Sequence, residues 1–290
     1  MTELGQLVVK GAALGSVYAL VALGFVVVFK ATGVINFAHG SLLAVGAYLT
    51  YALSAGTGVP FPLAVAAAAA GAVVVAMAVE RLVVRRLRHA SPVAVVLATI
   101  GVAIVLDQLV TVVWGFRPHH LGDPWGARSV RLGGLVLAQV DVATLVVVTA
   151  LVAGLAVFFR RSRVGLALRA AAADLEAAAA HGVSSALVSR LAWGLAAGVA
   201  TVAGVLLASG PGAATPDLGA VALRAFPAVL VGGFTSLGGA LAGGVVIGLV
   251  EVLTAGYLPG QELVVPYLVM LAVVLVRPEG LFGTRPTARL

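Results

Sequence analysis

Long apolar runs separated by short polar or glycine- and proline-bearing stretches make up most of this chain. Residues 4–29 form the first run, and Lys30 closes it. Residues 63–79, 92–113, 140–159, 191–209 and 262–276 repeat the pattern, most of them at the length of a membrane-crossing helix. The turns between them carry the usual breakers, as in GTGVPFP at 56–62 and GPGAATPDLG at 210–219. A polar loop at 114–139 has Trp114 and Trp125 placed for the two edges of a membrane interface. The arginines mark the opposite side. Arg81, Arg85, Arg86 and Arg88 follow the run 63–79, and Arg160, Arg161 and Arg163 follow the run 140–159, so both places are expected to be cytoplasmic.

Two stretches do not fit simple spans. Residues 31–48, ATGVINFAHGSLLAVGAY, are too polar at first for a span and too apolar for a wet loop. They predict a broken or re-entrant element within 36–51 that leads into an apolar helix. Residues 221–251 contain Gly232, Gly233, Gly238, Gly239, Gly243, Gly244 and Gly248. They predict a short element to Phe234, a break at 235–239 and a full helix to Leu253. Irregular backbone at membrane depth survives only where protein or a water-filled cavity surrounds it. Interrupted segments in corresponding places of two halves point to a translocation path. The residues assigned to it are Asn36, Phe37, His39 and Gly40 early, and Gly232, Gly233, Ser236 and Gly239 late. For most of the glycines, ordinary close helix packing is the simpler reading.

The stretch 160–190, RRSRVGLALRAAAADLEAAAAHGVSSALVSR, lies between two spans, yet from Gly165 to His181 it is nearly all Ala and Leu. Ala is the best helix former. His181 suits a helix C-terminus, and Gly182 suits the left-handed residue after it, with Val183 folding back toward Ala178. The pattern predicts one short, well-stopped helix outside the membrane, with a small-residue surface that another protein can grip.

The whole is expected to be an all-α polytopic membrane protein. Eight or nine membrane elements, interrupted or re-entrant ones among them, form a single domain over residues 1–290 with the C-terminus cytoplasmic.

Composition narrows the function. Of 290 residues, 61% are hydrophobic and 10% charged, where a soluble domain averages about 25% charged. The net charge of +7 would suggest nucleic acid in a soluble protein, but the arginines flank apolar runs and no nucleic-acid partner is expected. No cleavable signal peptide is expected, because Glu3 precedes Lys10 and the following run is too long for one. With no cysteine, a disulfide framework, a thiolate metal site and a Cys nucleophile are excluded. Lys10 and Lys30 lack the glycines and hydroxyl of a phosphate-binding loop, so the chain does not bind ATP by that route. The adjacent His119 and His120 read as polar side chains of a wet loop in preference to a metal site, because no Cys stands near them. No catalytic arrangement stands out, and neither an enzyme activity, a cofactor nor a metal is expected. Ionisable residues within spans are functional candidates by default, here Asp107 and Glu251. For Asp107 a structural polar contact is preferred to ion coupling. Glu251 can reach the interface, and Arg224 is available to pair with either, or with Asp217.

Several of these stretches resemble one family. GSVYALVALG (15–24), GVINFAHGSLLAVGAY (33–48), ATIGVAIVLDQ (98–108), GLALRAAAADLEAAAAHGVS (165–184), RAFPAVLVGGFTSLGGALAGGVVIGLVE (224–251) and VLVRPEGLFG (274–283) are similar, in order, to the shorter integral-membrane permease of branched-chain amino-acid ABC importers. The resemblance implies a non-enzymatic transport subunit that moves such amino acids inward, in a multi-pass arrangement in a bacterial inner membrane. It implies a heterodimer with a second permease, two ATP-binding subunits and an extracytoplasmic binding protein. It assigns coupling to the ATPase to Arg169, Ala170, Asp174, Glu176, Ala178 and Gly182. Asn36 and His39 are then expected to hydrogen-bond freed backbone around the break, with direct substrate contact as the other reading. Asp107 stands where the family pattern has Gln, and His181 where it has an apolar residue. Relatives that resemble this permease serve urea, short amides and aromatic acids, so the substrate stays open. A stand-alone secondary transporter or channel is the competing class.

Overall fold

A computed structural model describes residues 2–87, 89–122, 125, 129–132 and 135–283. Arg88 of the basic stretch and the last seven residues of the basic tail lie outside the described residues.

The apolar runs fold as helices. In order they are α1 (Thr2–Thr32), α2 (His39–Ser54), α3 (Phe61–Leu82), α4 (Pro92–Trp114), α5 (Gln139–Arg161), α6 (Arg163–Ala173), α7 (Leu175–Ala180), α8 (Ser185–Ala208), α9 (Val221–Arg224), α10 (Phe226–Gly232), α11 (Leu237–Tyr257) and α12 (Val264–Val276). Among the described residues, six helices are long and apolar enough to cross a membrane: α1, α3, α4, α5, α8 and α11. The 16 residues of α2 reach about 24 Å and the 13 of α12 about 20 Å, against about 30 Å of hydrocarbon. The final run is therefore shorter as a helix than its hydropathy suggests.

Glycine decides which helices sit at the centre. α1 and α11 form the most extensive pair. Gly11 and Gly15 on α1 lie against Gly248 and Leu249, and Gly244 lies on Ala19, with no room for a Cβ at Gly15, Gly244 or Gly248. Each helix thus carries a small residue every fourth position, which lets two backbones touch in lipid. α8 joins the centre by packing on α1, α2 and α3, with Gly204 of α8 closed on the Leu43 carbonyl of α2. α1 and α8 are largely buried, whereas α3, α4 and α5 present most of their surface outward.

Three features depart from the sequence reading. The polar loop 114–139 contains a two-stranded antiparallel hairpin, β1 (Ser129–Leu132) with β2 (Leu135–Ala138), paired Ser129 to Ala138. Lys30 does not end α1, which continues to Thr32 and stops where Gly33 turns left-handed at φ +71°. The Ala-rich stretch is two helices rather than one. Asp174 sits between them in extended backbone, φ −155° and ψ 106°, and its Oδ1 accepts from the N–H groups of Glu176 and Ala177 at 3.0 Å each. A carboxylate serving as an N-cap starts a new helix in preference to extending the old one.

Candidate functional site

The first interruption covers residues 33–38. Asn36 is 1% exposed, and its Oδ1 accepts from the Ala38 N–H at 3.0 Å, a local turn that holds freed backbone. The Phe37 N–H donates to Thr99 Oγ1 of α4 at 3.2 Å, which ties the break to that helix. His39 opens α2 and is fully buried, but it does not serve the break. Its ring lies on α1, where it fills the space above Gly24 and sits 4.9 Å from the Phe25 ring. The Val21 backbone lies beside the ring, and neither ring nitrogen makes a hydrogen bond of good geometry. Gly40 has the Gly219 carbonyl in the position a Cβ would take, so α2 begins against the segment 218–220.

The second interruption falls at 233–236, slightly before the expected 235–239. α10 ends at Gly232, and Gly233 turns at φ +99°. Ser236 then caps α11, its Oγ accepting from the Gly239 N–H at 2.9 Å. Two separate parts of the chain secure this break. Lys30 Nζ donates to the Thr235 carbonyl at 2.9 Å. The N–H groups of Leu281 and Phe282, from the RPEGLFG stretch, donate to the carbonyls of Val231 (2.8 Å) and Gly232 (3.2 Å). Gly232 and Gly239 face each other so closely that neither can carry a side chain.

Aromatic rings join the two interruptions. Phe226 of α10 lies 5.7 Å from Phe25, 6.0 Å from Phe37 and 5.9 Å from Phe234, and Phe29 lies 5.0 Å from Phe234. Tilted and edge-on aromatic pairs add attraction beyond burial alone. The structure thus brings Asn36, Phe37, His39 and Gly40 into one neighbourhood with Gly232, Gly233, Ser236 and Gly239, through α1 and Phe226. Lys30 and Phe226 were not singled out in the sequence. Lys30 is one of only two lysines, and its place at the end of a span was the signal available.

The segment 160–190 is seated by a buried face and presents an exposed one. Leu168, Ala171, Ala178, Val188 and Ala192 cluster with Val27, Ala31, Phe158 and Phe159, so α6 and α7 rest on the ends of α1, α5 and α8. Ser162 starts α6, its Oγ accepting from the Gly165 N–H at 2.8 Å. At the other end the expected stop is present. Gly182 has φ +85°, its N–H donates to Ala179 at 2.9 Å, and the Val183 N–H donates to Ala178 at 3.0 Å. Of the residues assigned to coupling, Arg169, Glu176 and Gly182 are exposed, Ala170 and Asp174 half-buried, and Ala178 buried. They do not share one surface; Ala178 is part of the seat.

Asp107 and Glu251, the two carboxylates expected as functional candidates, have different surroundings. Glu251 on α11 is bound within the chain: its Oε2 accepts from the buried Tyr18 hydroxyl of α1 at 2.8 Å, and the Arg224 guanidinium acts on it electrostatically. Asp107 on α4 lies beside Ser41 of α2 and lines a cavity of about 410 Å³ that also includes Asp217. Arg224 thus favours Glu251 over Asp107. In the outer loop His119 Nε2 lies 3.0 Å from the Trp114 carbonyl and His120 Nδ1 3.1 Å from the Gly212 carbonyl, so both imidazoles tie loop backbone.

A bundle built on glycine-mediated helix contacts, with paired interruptions and a helical segment outside it, defines a polytopic membrane transport component. The family model for the permease component of the branched-chain amino acid transport system matches residues 7–274, and the chain belongs to that family. The chain is 33% identical to the high-affinity branched-chain amino acid transport system permease protein LivH of Salmonella typhimurium, over 96% of this chain and 95% of that one. It is 34% identical to the LivH protein of Escherichia coli with the same coverage, and 32% identical to the permease protein BraD of Pseudomonas aeruginosa over 96% and 95%. The solved structure of PsaBC from Streptococcus pneumoniae in complex with Fab is similar at a TM-score of 0.47 and 15% identity, covering 96% of this chain and 91% of that one.

Proposed function

We propose that this chain is one of two membrane subunits of an ATP-driven importer that carries branched-chain amino acids inward across a bacterial inner membrane. Its partners are a second permease, a pair of ATP-binding subunits and an extracytoplasmic binding protein. The chain has no phosphate-binding loop of its own, so energy must arrive from outside it. The single observation that carries the reading is the seating of α6 and α7. Their buried face rests on α1, α5 and α8, so a push on the exposed face moves three spans together.

In this reading the face bearing Lys30, Arg160, Arg169 and the end of the 277–283 segment is cytoplasmic, in line with its positive charge. α2, α9–α10 and α12 count as partial crossings beside six full ones, which brings the total to about nine elements. The interruptions at 33–38 and 233–236, held by Lys30 and Phe226, shape the path between the two ends. Asn36 and Ser236 keep the broken backbone satisfied there, and substrate choice rests mainly on the binding protein.

The test is purification of the tagged chain from its own membranes in mild detergent, followed by mass spectrometry. A second permease and ATP-binding subunits should co-purify in fixed ratio. A stable homo-oligomer without any ATP-binding subunit would contradict the reading.

A further inference from the structure

α4 presents most of its surface outward, and its main contacts are α2 and the turn Val84–Leu87. Ile100, Ala103, Ile104 and Asp107 fall at the spacing of one helical stripe and together line the cavity of about 410 Å³ between α4, α2 and the segment 216–223. Its far wall carries Asp217 and Leu223. Ile104 is 59% exposed and Leu223 52%, so the cavity is open to whatever lies beside the subunit.

Asp107 is the sixteenth of the 23 residues of α4, about 10 Å from the helix end, well inside the hydrocarbon depth. One of its oxygens, Oδ1, is shut off without a hydrogen-bond partner. An ionisable side chain at that depth faces protein or a water-filled cavity, because lipid tails satisfy neither charge nor hydrogen bond. Glu251 and the buried Glu80 of α3 obey the rule inside this chain, through Tyr18 and Arg190. Asp107, beside Ser41, is only partly enclosed by this chain. On α3 and α5 comparably exposed positions, Val74 at 66% and Val146 at 62%, belong to surfaces with no such carboxylate and suit lipid as they stand.

We infer that the face formed by α4 and the segment 216–223 is where the second permease subunit packs, closing the Asp107 cavity at the subunit boundary. The partner surface is a membrane-spanning one. It offers apolar side chains to Ile100, Ile104 and Leu223 and, at the depth of Asp107, a hydrogen-bond donor or cationic group. This inference rests on the two-permease reading above and adds the face by which the subunits meet.

The test uses the intact complex in its own membranes. A photo-crosslinking amino acid is placed singly at Ile104 or Leu223, with Val74 and Val146 as equally exposed controls. Irradiation, purification and mass spectrometry then identify the adducts. The expected result is an adduct with the second permease from Ile104 and Leu223, and lipid adducts only from Val74 and Val146. Permease adducts from a control position but not from Ile104 or Leu223, or lipid adducts alone from Ile104 in a complex that contains the second permease, would overturn the inference. A complex containing no second permease would instead remove the reading on which it rests.

Discussion

The Tyr18 hydroxyl of α1 donates a 2.8 Å hydrogen bond to Glu251 Oε2 of α11, joining residues 233 positions apart at the glycine-packed centre of the bundle. Tyr18 is 1% exposed, so water cannot replace it readily. Tyr18→Phe removes the donor and leaves the carboxylate with less support, a cost of about 1–3 kcal/mol. Glu251→Gln retains an acceptor and should cost less. Thermal unfolding of the purified complex in detergent should therefore rank wild type above Glu251→Gln and Glu251→Gln above Tyr18→Phe.

Close backbone contact between α1 and α11 makes a sharper prediction. A side chain at Gly244 would overlap Ala19, whereas nothing lies within 4 Å of the position a Cβ takes at Gly101. Gly244→Leu should sharply reduce the amount of folded protein recovered from membranes, and Gly101→Ala should leave it unchanged. Fluorescence-detected size-exclusion profiles separate these outcomes; equal recovery would contradict the packing account.

Asp174 is a hinge between α6 and α7 and a cap for α7. Asp174→Ala loses two hydrogen bonds to backbone N–H groups and should destabilise α7 by about 0.5–2 kcal/mol, while Asp174→Asn should stay near wild type. Hydrogen exchange over residues 175–180 reads this locally: faster in Asp174→Ala, little changed in Asp174→Asn. Equal protection in all three would mean the cap is dispensable.

His39 fills the space between Gly24 and Phe25 and is enclosed on all sides. His39→Ala should lower uptake several-fold through lost packing while leaving the order of preference among leucine, isoleucine and valine as it was. Competition assays on whole cells check this. A changed order would place the ring in contact with substrate.

Much of this was legible in the chain, for identifiable reasons. The long helices follow from local hydropathy. The Gly182 stop follows from residues adjacent in sequence. The two interruptions were visible because glycine and polar residues entered otherwise apolar runs. What escaped was either a competition between local preferences or a long-range contact. Ala-rich propensity favoured one helix over 165–181, and a single capping carboxylate at Asp174 outweighed it. His39 was read with its sequence neighbours, but its partners, Gly24 and Phe25, belong to the preceding helix. Lys30 finds its carbonyl acceptor 205 positions away, and Glu251 its donor 233 positions away, neither of which local patterning can reveal.

The claim that α6–α7 delivers work from an ATPase to the spans is tested most directly by ATP-dependent leucine uptake into proteoliposomes containing the purified complex. Gly182→Pro is the variant of choice, because proline fixes φ near −65° where the chain requires +85°, at a position where nothing lies within 4 Å of the site of a Cβ. The account predicts that Gly182→Pro assembles with its partners and that ATP is still hydrolysed, while uptake falls at least tenfold. Uptake at the wild-type rate per ATP hydrolysed would contradict it.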